Sequence, residues 1–87
     1  MFELQIHFED DMRGMTVPPT LTFDDFLDKV CSKFNRSPSN LLVKFADEDG
    51  NKVSLMDDSD YDLALEVARD SAKGKPEGKL EMWCIKR

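Results

Sequence analysis

Three side chains in this chain are the natural first candidates for catalysis: one histidine and two cysteines. His7 lies in a strict alternation, with Phe2, Leu4, Ile6 and Phe8 on one face and Glu3, Gln5 and His7 on the other, so it reads as an exposed strand residue. General acid–base work needs a positioned partner and a shielded pocket, and 87 residues leave little room for one. Cys31 falls on the apolar stripe of a helix and Cys84 on the inner face of a strand, positions where thiols behave as small hydrophobes. No Cys-x-x-Cys or Cys/His spacing suits zinc, and no base lies in sequence position to activate a thiolate. The expectation is a chain without catalytic residues, metal or cofactor.

Acidic chemistry stands higher. Between Asp47 and Asp62 there are seven acids, Asp47, Glu48, Asp49, Asp57, Asp58, Asp60 and Asp62, against one base, Lys52. A calcium loop is excluded by spacing: setting Gly50 at position six puts Phe45 at position one and Met56 at position twelve, where carboxylates are required. No Gly-rich phosphate loop with Lys and Ser/Thr is present. Asp57, Asp58 and Asp60 suit a helix N-terminus through the helix dipole alone. Asp47, Glu48 and Asp49 have no helix to cap, and concentrated like charge is tolerated where a basic partner is the intended neighbour.

The elements that position these residues follow from periodicity. Residues 2–8 form a strand. Glu9-Asp10-Asp11 and Gly14 supply turn chemistry, and Met15-Thr16-Val17 returns as a short second strand that Pro18-Pro19 stops. Thr22 is a helix N-cap with Asp25 at capping-box spacing. Phe23, Phe26, Leu27, Val30, Cys31 and Phe34 then make one wide apolar stripe, which Asn35 and Pro38 end. Residues 41–45 read as a third strand, 47–51 as a turn and 52–55 as a short fourth strand. A second helix starts near Ser59, with Ser59 and Asp62 at capping-box spacing and Tyr61, Ala64, Leu65 and Ala68 on its inner face. Residues 73–78 are a flexible polar link, and residues 79–86 are the last strand, with Leu80, Met82 and Cys84 on one face. Trp83 and Ile85 face the other way and are expected to pack on the second helix, the alternative being a small exposed apolar contact.

The order strand, strand, helix, strand, strand, helix, strand predicts an α+β fold. It has a mixed five-stranded sheet and two helices, the apolar first and last strands lying as parallel central neighbours. This is the ubiquitin-like β-grasp (ββαββαβ). The short fourth strand places both acidic groups at one edge of the domain.

Composition bounds the function. Twelve Lys+Arg against eighteen Asp+Glu give a net charge of −6, which repels phosphate backbones and anionic lipid. No apolar run approaches the ~20 residues that span a bilayer, and residues 1–4 show no signal-peptide character. The expectation from composition is one domain over residues 1–87, cytoplasmic, and a piece of something longer.

The stretch from Phe45 to Tyr61, FADEDGNKVSLMDDSDY, resembles the OPCA acidic motif of the Phox-and-Bem (PB-one) domain: an aromatic, acids around a glycine, a short strand, then an acidic pair before a helix. The resemblance extends over the whole chain. It implies pairing of domains front to back, the acidic motif of one docking on a first-strand lysine of another. By motif position it implies Asp47, Asp49, Asp58 and Asp60 as contacts, with Glu48 and Asp57 in support. Asn51 and Ser59 stand where acids are common in the family. Gln5 stands where the family has its lysine, and Arg13 is the one base in the first hairpin, so the resemblance implies an acidic-only, type I domain. Such a domain binds a lysine-bearing PB-one partner and forms no head-to-tail homopolymer.

Val17-Pro18-Pro19 and Met82-Trp83-Cys84 are similar to segments of fungal polarity proteins, in particular an exchange factor for a Rho-family GTPase. That likeness implies recruitment by a scaffold at the cell cortex. A fungal NADPH-oxidase regulator is the other parent considered, and the missing first-strand lysine counts against it. A ubiquitin-like modifier or a Ras-binding-type domain is the alternative within the same fold. The ending Ile85-Lys86-Arg87 and the nearly base-free first hairpin weigh against both.

Overall fold

A computed structural model describes residues 1–72 and 78–86; of the polar link read at 73–78, all but Gly78 lies outside the described residues. The elements are β1 (Phe2–Phe8), β2 (Asp11–Val17), α1 (Phe23–Lys33), a 3-10 turn at Pro38–Asn40, β3 (Leu41–Ala46), β4 (Lys52–Leu55), α2 (Asp58–Ala72) and β5 (Gly78–Lys86). The sheet order is β2-β1-β5-β3-β4. β1 and β5 run parallel at its centre, from Phe2 opposite Gly78 to Phe8 opposite Cys84, and the other pairs are antiparallel. The expected mixed β-grasp is the observed fold.

Alternation writes the core. Phe2, Leu4, Ile6 and Phe8 of β1, Leu41, Val43 and Phe45 of β3, and Leu80, Met82 and Cys84 of β5 all point to one face and are buried. Phe26, Val30 and Cys31 of α1 and Tyr61, Ala64 and Ala68 of α2 close over them. No polar or charged side chain is buried among the described residues. Each fully buried large apolar side chain contributes about 1.5–3 kcal/mol by leaving water. Tyr61 ties the helices together: its ring lies 5.0 Å from that of Phe26, and its hydroxyl donates to the Leu21 carbonyl at 2.8 Å.

Four local expectations change. β2 starts at Asp11 rather than Met15, because Glu9 takes a positive φ of 55° and closes the hairpin in two residues. Gly14 therefore lies inside the strand, opposite Gln5, and not in a turn. Helix α2 is capped by Asp57 rather than Ser59: the Asp57 carboxylate accepts the Asp60 N–H at 3.0 Å, and its carbonyl accepts the Tyr61 N–H at 3.1 Å. Trp83 and Ile85 do not pack on α2, since both helices lie across the opposite face of the sheet. Trp83 stacks instead on His7, its neighbour on β1, with ring centroids 5.7 Å apart, and Ile85 is 44% exposed.

Candidate functional site

The two acidic groups occupy the two ends of β4, the edge strand of the sheet. Each is built by its own hydrogen bonds. In the β3–β4 loop the Asp47 carboxylate accepts the backbone N–H groups of Asp49 at 3.0 Å and Asn51 at 2.8 Å. The Asp47 N–H donates to the Asn51 carbonyl at 2.9 Å, and the Gly50 N–H donates to the Asp47 carbonyl at 3.1 Å. Gly50 sits at φ 83°, a left-handed conformation that costs a non-glycine residue about 1–2 kcal/mol. The Asn51 amide donates to the second Asp47 oxygen at 3.4 Å, a bond that a carboxylate at position 51 could not make. Asn51 thus closes the loop on Asp47.

At the other end, Asp57 caps α2 as described, and the Asp60 carboxylate reaches back to accept the Met56 N–H at 2.9 Å. Asp47, Asp57 and Asp60 therefore shape the backbone that carries the site. Glu48, Asp49 and Asp58 are exposed, and no ion pair engages them among the described residues. Four strand residues separate the groups by about 13 Å at ~3.3 Å each. That exceeds the ~8 Å screening length at physiological salt, so the groups repel one another only weakly.

The acidic field extends beyond the motif. Asp47 and Glu48 also line an open groove of about 500 Å³ whose walls include Val67 and Leu80 and whose rim adds Asp70 and Glu81 against one base, Lys79. Asp70 and Glu81 lie on α2 and β5, far from the motif in sequence, and only the fold brings them here.

The opposite margin is poor in free cations. Gln5 is exposed on β1 between Gly14 and Glu81. The Arg13 guanidinium donates to the Lys33 carbonyl at the end of α1, at 2.7 Å. Glu9, in the hairpin turn, pairs with Lys86 at 2.8 Å, and that ammonium holds its carboxyl below the usual range.

Among the candidates for catalysis, His7 lies on the outer sheet face and the two thiols lie in the core. His7 is half-buried rather than exposed, and its Nε2 lies 3.0 Å from a Glu81 carboxylate oxygen, a partner 74 residues away that periodicity alone could not supply. Cys31 and Cys84 are buried free thiols. Burial, then the nearby Asp28, raises Cys31; burial, then Cys31, pushes Cys84 up to about 12. Neither is an available nucleophile. No three of the described His, Cys, Asp and Glu residues converge as metal ligands, and none of the described helices is long and apolar enough to cross a membrane.

Comparison with known proteins agrees with this geometry. The family model of the PB1 domain matches residues 1–87. The PB1 domain of Cdc24p (long form) superposes with a TM-score of 0.78 at 22% identity, over 97% of this chain and 95% of that one. The AtNBR1-PB1 domain in its L-type filament gives 0.73 at 22%, over 99% and 97%. The AtNBR1-PB1 domain in a separate structure gives 0.71 at 20%, with the same coverage. At these identities the structural likeness establishes the fold. No curated protein matches the chain.

Proposed function

The chain belongs to the PB1-domain family of protein–protein interaction modules, and we propose that it is an acidic-face, type I member whose β4 edge binds the lysine face of a partner PB1 domain. The observation that carries this reading is the division of labour at that edge. Three acids fold the loop and the helix start, and Glu48, Asp49 and Asp58 project from them without a partner of their own among the described residues. The carboxylates of Asp47 and Asp60 retain lone pairs that a partner's ammonium or guanidinium can use. A preorganised acidic edge steers a basic partner and accelerates its encounter.

The same chain offers no lysine face in return, with Gln5 at the key position and Arg13 turned onto α1. Head-to-tail stacking needs both faces on one chain, so the module pairs with a different chain and does not polymerise, unlike the AtNBR1-PB1 domain in its filament. It acts without catalysis, recruiting its parent protein to a signalling scaffold. A cell-polarity scaffold at the cortex is the reading that the Val17-Pro18-Pro19 and Met82-Trp83-Cys84 segments favour.

The test is titration calorimetry against a lysine-bearing PB1 domain at low and high salt, with wild type and the double variant Asp49→Asn/Asp58→Asn. The expected result is one-to-one binding that weakens with salt and falls at least about tenfold in the variant. Binding indifferent to both salt and the substitutions would place recognition on another surface.

A further inference from the structure

The outer face of the sheet, opposite the helices, carries a second surface of opposite character. Trp83 stands at its centre on β5, with His7 beside it on β1 and Lys44 beside it on β3. The Lys52 ammonium lies over the Trp83 ring, 4.5 Å from its centroid. Leu42 and Ile85 form the next cross-strand pair on this face, and Ile85 is 44% exposed.

The one carboxylate beside Trp83 on this face, Glu81, is held by His7, which leaves the lysines as the free charges around the ring. In a chain of net charge −6, Lys44 and Lys52 have no carboxylate within ion-pair distance among the described residues, where the ion pairs are His7–Glu81 and Lys86–Glu9. Two unpaired cations flank a half-exposed indole and an aliphatic pair. An aromatic, aliphatic and cationic surface of this kind complements an acidic segment that carries an apolar side chain.

We infer that this face is a second docking site, taking an acidic segment of another protein whose carboxylates pair with Lys44 and Lys52 and whose apolar side chain lies on Trp83, Leu42 and Ile85. The site adjoins the acidic edge, sharing β4 with it through Lys52, but faces a different way: the edge recruits a basic domain and the outer sheet face an acidic segment. The bound carboxylates would draw Lys52 partly off the indole, so the environment of Trp83 changes on binding.

Trp83 is the single tryptophan of the chain, and its emission reports on this face alone. The probe is an acetylated octapeptide of six aspartates around two central leucines, titrated against the whole chain while Trp83 emission is followed. A second octapeptide has lysine in place of aspartate. The expected result is a saturable change with the acidic peptide, absent with the basic one and weakened at least about tenfold in Lys44→Glu/Lys52→Glu. Asp49→Asn/Asp58→Asn should leave it unchanged, which separates this site from the acidic edge whatever the fate of that reading. No saturable response to the acidic peptide, or an equal response in Lys44→Glu/Lys52→Glu, would overturn the inference. So would tighter binding of single-stranded oligonucleotide at the same face, or an emission change that tracks self-association of the chain.

Discussion

Asp47 and Asp49 stand two positions apart, yet their carboxylates have different surroundings. That of Asp47 holds two backbone N–H groups of its own loop, and that of Asp49 faces water. Asp47→Ala should therefore lower stability by about 1–2 kcal/mol as well as weaken partner binding. Asp49→Ala should weaken binding with an unchanged melting temperature. Thermal denaturation beside calorimetry on the two variants separates these outcomes, and equal melting temperatures would refute the structural role of Asp47. The thiols yield a second expectation at this scale. Cys84 keeps its proton up to about 12, against an ordinary 9.0. Between those values the unfolded chain releases a proton that the folded chain retains, so stability is unaffected by this group below pH 9 and falls as pH rises through the window. Denaturant titrations from pH 8 to 11 should show that decline, and a thiol reagent at pH 8 should label Cys84 only after unfolding.

At the scale of elements, α2 depends on its first turn and β5 on its first residue. Asp57→Ala removes the cap and should cost about 1 kcal/mol, read as a lower denaturation midpoint with an unchanged slope. A Cβ at Gly78 would run into the Ala68 carbonyl of α2, so Gly78→Ala should destabilise by about 1–3 kcal/mol. The sequence carried these elements unevenly, for physical reasons. Strict alternation in β1 and the 3-4 spacing of Phe23, Phe26, Val30 and Cys31 left one solution each, and both elements lie where expected. The hairpin was harder to read. Gly14 resembles a turn residue, but Glu9 accepts the positive φ and Gly14 becomes strand. In α2 two capping patterns overlap, and the hydrogen bonds of Asp57 and Asp60 decide between them. The placement of Trp83 turned on which face the second helix covers, and period-two alternation shows that two faces exist without showing which is covered. At the acidic edge the motif residues were legible, but Asp70 and Glu81 join them through tertiary contact alone.

At the scale of the molecule, charge is sorted by surface. Acids concentrate at the β4 edge and unpaired lysines on the outer sheet face, and β1 presents the neutral Gln5. The chain should stay monomeric at high concentration in sedimentation velocity, and adding a lysine-bearing PB1 domain should stop at a heterodimer. Growth into larger species from this chain alone would mean that a basic surface of one copy accepts the acidic edge of the next, which would contradict pairing that stops at a heterodimer.

The most direct test of the central claim is residue-resolved NMR of the labelled chain during titration with a lysine-bearing PB1 domain. The account predicts that the amides perturbed lie in residues 47–51 and 57–60, at the two ends of β4, and that added salt reverses the shifts. Perturbation centred on β1 and the β1–β2 hairpin, with those two segments unmoved, would contradict it.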